Sequence, residues 1–170
     1  MVSQEVFRAE CYRCHKPVLT CICARLPLVN NRTEVIVLQH PRERLHPIGT
    51  ARFARLGLAR STVHVAWNAG AAESEPPEWL EPGTGLLYPS PHAQLLETLP
   101  SEARPERPLV LDGTWHTAKT LYRDKHWLHQ LPHYRLAPEQ PGRYRLRREP
   151  RHDYVSTIEA IVEALGILEP

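Results

Sequence analysis

Short aliphatic runs alternate along this chain with stretches of helical spacing, and that alternation leaves few folds open. The first run is TEVIVLQ, Thr33–Gln39. Its apolar residues are consecutive, as in a strand covered on both faces. STVHVAW (Ser61–Trp67), TGLLYPS (Thr84–Ser90) and LVLDGTW (from Leu109) read as further strands. HYRLA and RYRLR read as further short strands. Between the runs, TARFARLGLA from Thr50, HAQLLETL (His92–Leu99) and HTAKTLYRDKHWLHQL, from His116 at least to Arg123, predict helices. STIEAIVEALGIL, Ser156–Leu168, is the clearest helix. Ser156 can cap it, Glu159 stands at the third helical position as in a capping box, and Ile158, Ile161, Val162 and Leu165 share a face. The alternation predicts a single α/β domain with a largely parallel sheet and helices on both faces.

The length of 170 residues suits one such domain. No apolar run approaches the ~20 residues of a membrane span. The first ten residues, MVSQEVFRAE, lack the apolar core of a signal peptide, so the expected setting is the cytoplasm. The net charge of +2 says little, but its distribution says more. Arg42, Arg44, Arg52, Arg55 and Arg60 face one acid, Glu43, over residues 42–60; Arg143, Arg145, Arg147, Arg148 and Arg151 face one acid, Glu149, over 143–151. Residues 73–106 invert the balance, with seven Glu and only Arg104. Segregation of this kind can give a basic face, and arginine's planar fork suits phosphate. The competing explanation is an ordinary compositional preference for arginine.

All four cysteines fall in CYRCHKPVLTCIC, as Cys11, Cys14, Cys21 and Cys23. Two close pairs can present four thiolates to one tetrahedral Zn(II). Four thiolates fill the shell, so the expected role is a structural staple for an N-terminal extension over residues 1–28. An iron–sulfur cluster is the alternative occupant, and four unliganded cysteines are the other reading.

In open α/β sheets, ligands bind beyond the carboxyl ends of the strands. The loops expected there are QHPRERLHPIGTAR, YPSPH and DGTWHTAK. Asp112 ends a strand and enters a glycine turn, where a carboxylate can act as a base or hold an amino group. It can equally cap a helix or close an Asx turn. Trp115 can stack on a base or plug the core. His40, His46 and His116 are further acid–base or phosphate candidates. No G-x-G-x-x-G, P-loop or G-x-S-x-G motif occurs. GRYRLRR, if extended, puts Arg143, Arg145 and Arg147 on one face, suited to phosphates or to guarding a sheet edge.

Taken in order, CYRCHKPVLTCIC, QHPRERLHPIGTAR, LLYPS, VLDGTWHTAK, YRLRREP and STIEAI resemble the DTW-domain family of tRNA-uridine aminocarboxypropyltransferases. The blocks span residues 11 to 161, and the family's signature Asp-x-Thr-Trp is here Asp112, Thr114 and Trp115. The resemblance implies transfer of the 3-amino-3-carboxypropyl group of S-adenosylmethionine to N3 of a uridine in tRNA, with methylthioadenosine released. It also implies kinship with SPOUT-type methyltransferases, hence a C-terminal trefoil knot, in a catalytic domain over residues 29–170. By the same analogy Asp112, Thr114 and Trp115 are catalytic. Tyr88, Pro89, Ser90, Leu111, Tyr144, Arg145, Leu146, Arg147, Thr157 and Glu159 cradle the cofactor. Arg42, Arg52, Arg55, Arg143, Arg148 and Arg151 hold RNA. Gly49 departs from the family pattern, which has Asn there. The same transfer on ribosomal RNA, a non-catalytic zinc-containing RNA-binding module, and an ordinary S-adenosylmethionine-dependent methyltransferase are the alternatives.

Overall fold

A computed structural model describes residues 9–46, 48–68, 70–138, 142–143 and 155–170. The strands are β1 (Val35–Gln39), β2 (Ser61–Val65), β3 (Thr84–Leu87), β4 (Gln94–Leu95), β5 (Arg107–Asp112) and β6 (His133–Arg135). They form one sheet in the order β2-β1-β5-β3-β6-β4, and every pair is parallel. The helices are α1 (Ala51–Gly57), α2 (Trp115–Asp124) and α3 (Thr157–Leu168).

The inner strands β1, β3 and β5 are largely apolar because both of their faces are covered. Val35, Val37, Leu87 and Val110 point to one face and pack with Ala51 and Ala54 of α1 and Ile161 and Ala164 of α3. Ile36, Leu38, Leu86, Leu109 and Leu111 point to the other and pack with Ala118 and Leu121 of α2, and with Trp127 and Leu128. The α/β class and the helices on both faces thus agree with the sequence reading. The α3 cap is as expected: Ser156 accepts from the Glu159 amide while Glu159 returns a bond to the Ser156 amide at 2.9 Å.

One element differs from expectation. HAQLLETL is not an α-helix: residues 94–95 form β4 and Leu96–Thr98 make a single 3-10 turn. The open edge of β6 supplies a ladder for Gln94 and Leu95 in place of helical bonds. The acid-rich connection 68–82 is pinned down by side chains. Lys125, 2% exposed, pairs with Glu73 at 2.8 Å and donates to the Asn68 carbonyl. Trp79 stacks on His64 with ring centres 3.9 Å apart. The RYRLR strand and the expected C-terminal knot fall on a segment, 139–154, that lies largely outside the described residues.

Candidate active site and cysteine knuckle

β5 lies at the centre of the sheet, between β1 and β3, so its carboxyl end is flanked by two other strand ends. A cavity of about 650 Å³ opens there. Its walls come from the β1–α1 loop (Glu43, His46, Ile48, Thr50), the end of β3 (Leu87, Tyr88, Pro89), the β5–α2 turn (Leu111 to His116) and the start of α3 (Val155, Ser156, Thr157). That volume falls within the range of small-molecule sites, ~300–1,000 Å³.

Asp112 belongs to the cavity wall yet is only 3% exposed. Gln39 Nε2 donates to its Oδ2 at 2.8 Å, and Thr157 Oγ1 donates to its Oδ1 at 2.8 Å. The first contact follows from register, since Gln39 of β1 stands directly opposite Asp112 of β5. The second comes from the first residue of α3, so three separate elements fix one carboxylate. Asp112 does not cap α2. Thr114 does, its hydroxyl accepting from the Thr117 amide at 3.2 Å. Gly113 is required between them: a Cβ there would collide with Thr117 Oγ1 and stand 3.3 Å from the Ala118 nitrogen.

The other expected site residues divide. Tyr88, Pro89, Leu111, Thr114, Trp115 and Thr157 all line the cavity with Asp112. Ser90 is buried behind the cavity, 2.7 Å from His133 Nδ1. The Glu159 carboxylate is engaged by Ser156 and by the Arg143 amide and is not part of the cavity wall. Tyr144, Arg145, Leu146, Arg147, Arg148 and Arg151 lie outside the described residues. Arg42, Arg55 and Arg143 are exposed, with Arg55 donating to the Arg13 carbonyl. Arg52 departs from the expectation of an RNA-facing side chain. It is buried, and its guanidinium donates to the carbonyls of Cys14 and His46. Gly49 packs under the same loop, where a Cβ would lie 3.3 Å from the His46 carbonyl and 3.4 Å from that of Glu43. His46 and His116 reach the cavity wall, whereas His40 turns into the chain, accepting from the Arg42 amide. Burial, then the Arg42 charge, lowers the His40 pKa and keeps the ring neutral. Gln39 was not anticipated. Its role depends on which strand lies beside β5, which the sequence does not display.

The four cysteine sulfurs come together, all within 4.8 Å of one another. Cys11 and Cys23 are 3.7 Å apart, as are Cys14 and Cys21. A tetrahedron with metal–sulfur bonds of ~2.3 Å has edges of about 3.8 Å. His15 makes the turn tight enough, with φ of 52°, and closes it by donating to the Cys11 carbonyl. Amides of Cys14 and Arg13 draw the Cys11 pKa down to about 6, while burial and then Cys21 push that of Cys23 up to about 12. The donor set therefore fits a thiophilic dication, which ionises all four thiols together. The Arg52 and Arg55 bonds to the Cys14 and Arg13 carbonyls fasten this knuckle to α1.

A DTW domain model matches residues 8–170. The chain belongs to the DTW-domain family. The match takes in the cysteine knuckle as well as the sheet. Among curated relatives, tRNA-uridine aminocarboxypropyltransferase 2 of Drosophila melanogaster is 31% identical over 169 residues, covering 95% of this chain and 67% of the fly protein. The enzyme of the same name from Mus musculus is 31% identical, with 95% and 57% covered. tRNA-uridine aminocarboxypropyltransferase A of Arabidopsis thaliana is 26% identical, with 96% and 74% covered. No solved structure matches the chain. No helix among the described residues of this DTW protein is long and apolar enough to cross a membrane.

Proposed function

We propose that this chain transfers the 3-amino-3-carboxypropyl group of S-adenosylmethionine to N3 of a uridine in tRNA. The observation that carries this is the placement of Asp112, first residue of the family's signature, on the wall of a 650 Å³ cavity in a chain whose curated relatives are named tRNA-uridine aminocarboxypropyltransferases. The walls suit such a cofactor. Leu87, Val110, Leu111 and Leu136 offer apolar surface to a purine, and Thr50 and Thr157 offer hydroxyls to an amino acid end. S-adenosylmethionine supplies a carbon activated by a sulfonium, which departs as the neutral thioether methylthioadenosine. A bond forms from uridine N3 to that carbon, the carbon–sulfur bond breaks, and the N3 proton must go elsewhere.

In this mechanism Asp112 accepts the hydrogen bond from N3–H and then the proton. Gln39 and Thr157 hold its carboxylate in one orientation, so little reorganisation accompanies the transfer. Positioning carries much of the remaining work, because the propyl carbon and not the methyl must face N3. Trp115 and Tyr88 shape the walls. Residues 1–28 form a zinc-stapled extension to the catalytic body at 29–170, and the zinc is structural because the four thiolates leave it no open position. We place the enzyme in the cytoplasm with tRNA as its partner.

Cofactor binding is tested by titration calorimetry on the purified chain. S-adenosylmethionine and methylthioadenosine should both bind, and Leu111→Arg, which puts a bulky charge into the wall, should weaken both at least ~10-fold. Absence of binding to the wild-type chain would refute the cofactor assignment.

A further inference from the structure

Trp67 follows β2 and is 65% exposed. The Arg44 guanidinium carbon lies 5.2 Å from the centre of its ring. Arg44 comes from the β1–α1 loop, which has two sides. Glu43, His46, Ile48 and Thr50 turn toward the cavity, while Arg42, Arg44 and Leu45 are exposed. Among the described residues, neither Arg42 nor Arg44 forms an ion pair. The end of β2 is tied to the end of β1, since the Ala66 amide donates to the Gln39 carbonyl at 2.9 Å. Gln39 in turn holds Asp112. Trp67 therefore stands about two strand spacings, ~10 Å, from the strand that ends in Asp112. A short stretch of unstacked single-stranded RNA covers that distance.

We propose that Trp67 and Arg44 form a stacking platform for a base flanking the target uridine. An indole is a sequence-tolerant surface for a base, and the guanidinium beside it supplies a positive charge for the adjoining phosphate. A loop with cavity residues on one side and the platform on the other couples the two: a uridine that enters the cavity leaves its neighbour at Trp67. The platform rests on the proposed RNA substrate, and it favours targets in loops, where bases can be splayed apart.

The test uses the whole chain and short single-stranded RNAs with a central uridine. One RNA is intact, and one carries abasic residues at the flanking positions, which keeps every phosphate and removes the surfaces to stack. Fluorescence anisotropy should show the wild type binding the intact RNA at least ~10-fold more tightly than the abasic one. Trp67→Ala should lose that difference, Trp67→Phe should recover most of it, and S-adenosylmethionine affinity should stay unchanged in both. With tRNA, Trp67→Ala should raise KM and spare kcat. A Trp67→Ala protein that still discriminates intact from abasic RNA as the wild type does overturns the platform while leaving the enzyme assignment standing. A wild-type chain that binds neither RNA nor tRNA overturns both.

Discussion

Asp112→Asn is expected to reduce aminocarboxypropyl transfer by ~10²–10⁴-fold, the usual range for loss of a positioned acid–base group. Asparagine is the informative substitution because the pocket can accept it. Its Oδ1 can take the bond from Gln39, and its Nδ2 can donate to the Thr157 hydroxyl, which rotates to accept. Both of these contacts are thus kept, while the charge and the basic site are lost. Asp112→Ala is less clean. It leaves the buried Gln39 amide without its acceptor, at ~1–3 kcal/mol, so its activity loss would mix with instability. If Asp112 takes the N3 proton, the loss in Asp112→Asn falls on kcat, with cofactor affinity close to wild type. A collapse of S-adenosylmethionine affinity would make Asp112 an anchor for the cofactor's positive charge instead. Turnover near wild type would remove it from both roles.

The second large effect belongs to the knuckle. Cys14 is fully buried, and its carbonyl receives Arg52 from α1. Cys11→Ser with Cys14→Ser should lower metal content from about one zinc per chain to near zero. Without the metal the two ends of the knuckle have little apolar surface to hold them; Tyr12 and Leu19 are 86% and 98% exposed. Loss of ~3–5 kcal/mol, on the order of 10 °C in melting temperature for a chain of this size, follows. Elemental analysis and thermal unfolding measure both. Unchanged zinc in the double variant would refute the site, and visible thiolate–iron absorption in the wild type would replace zinc by an iron–sulfur cluster.

How much of this was legible in the sequence depended on the range of the interaction. The α3 helix was legible to its first residue because a capping box is local: Ser156 and Glu159 satisfy each other whatever surrounds them. Consecutive aliphatics gave the buried parallel strands for a similar reason, since residues with both faces covered cannot alternate. His92–Leu99 failed because its conformation was decided by the unpaired edge of β6, tens of residues away. Gln39 was invisible for the same reason. Nothing near Val35–Gln39 says that β5, and not β3, pairs beside it. Arg52 misled in the opposite sense. It counted as one of a basic run, yet a seven-residue helix with a tight glycine loop before it buries that side chain against two carbonyls. Asp112 itself was ambiguous locally, as cap or as site. The cap is Thr114, two residues on, and the Asp112 carboxylate is turned toward Gln39 and Thr157 at the cavity.

The central claim is the group transferred, and isotopic labelling addresses it directly. The purified chain is incubated with unmodified tRNA and S-adenosylmethionine, in parallel reactions carrying label in the carboxyl carbon or in the methyl group. Transfer of the aminocarboxypropyl group puts the carboxyl label into RNA, on a uridine base, and leaves the methyl label in methylthioadenosine. Methyl label in RNA, with the carboxyl label in S-adenosylhomocysteine, would contradict the assignment and make the protein a methyltransferase.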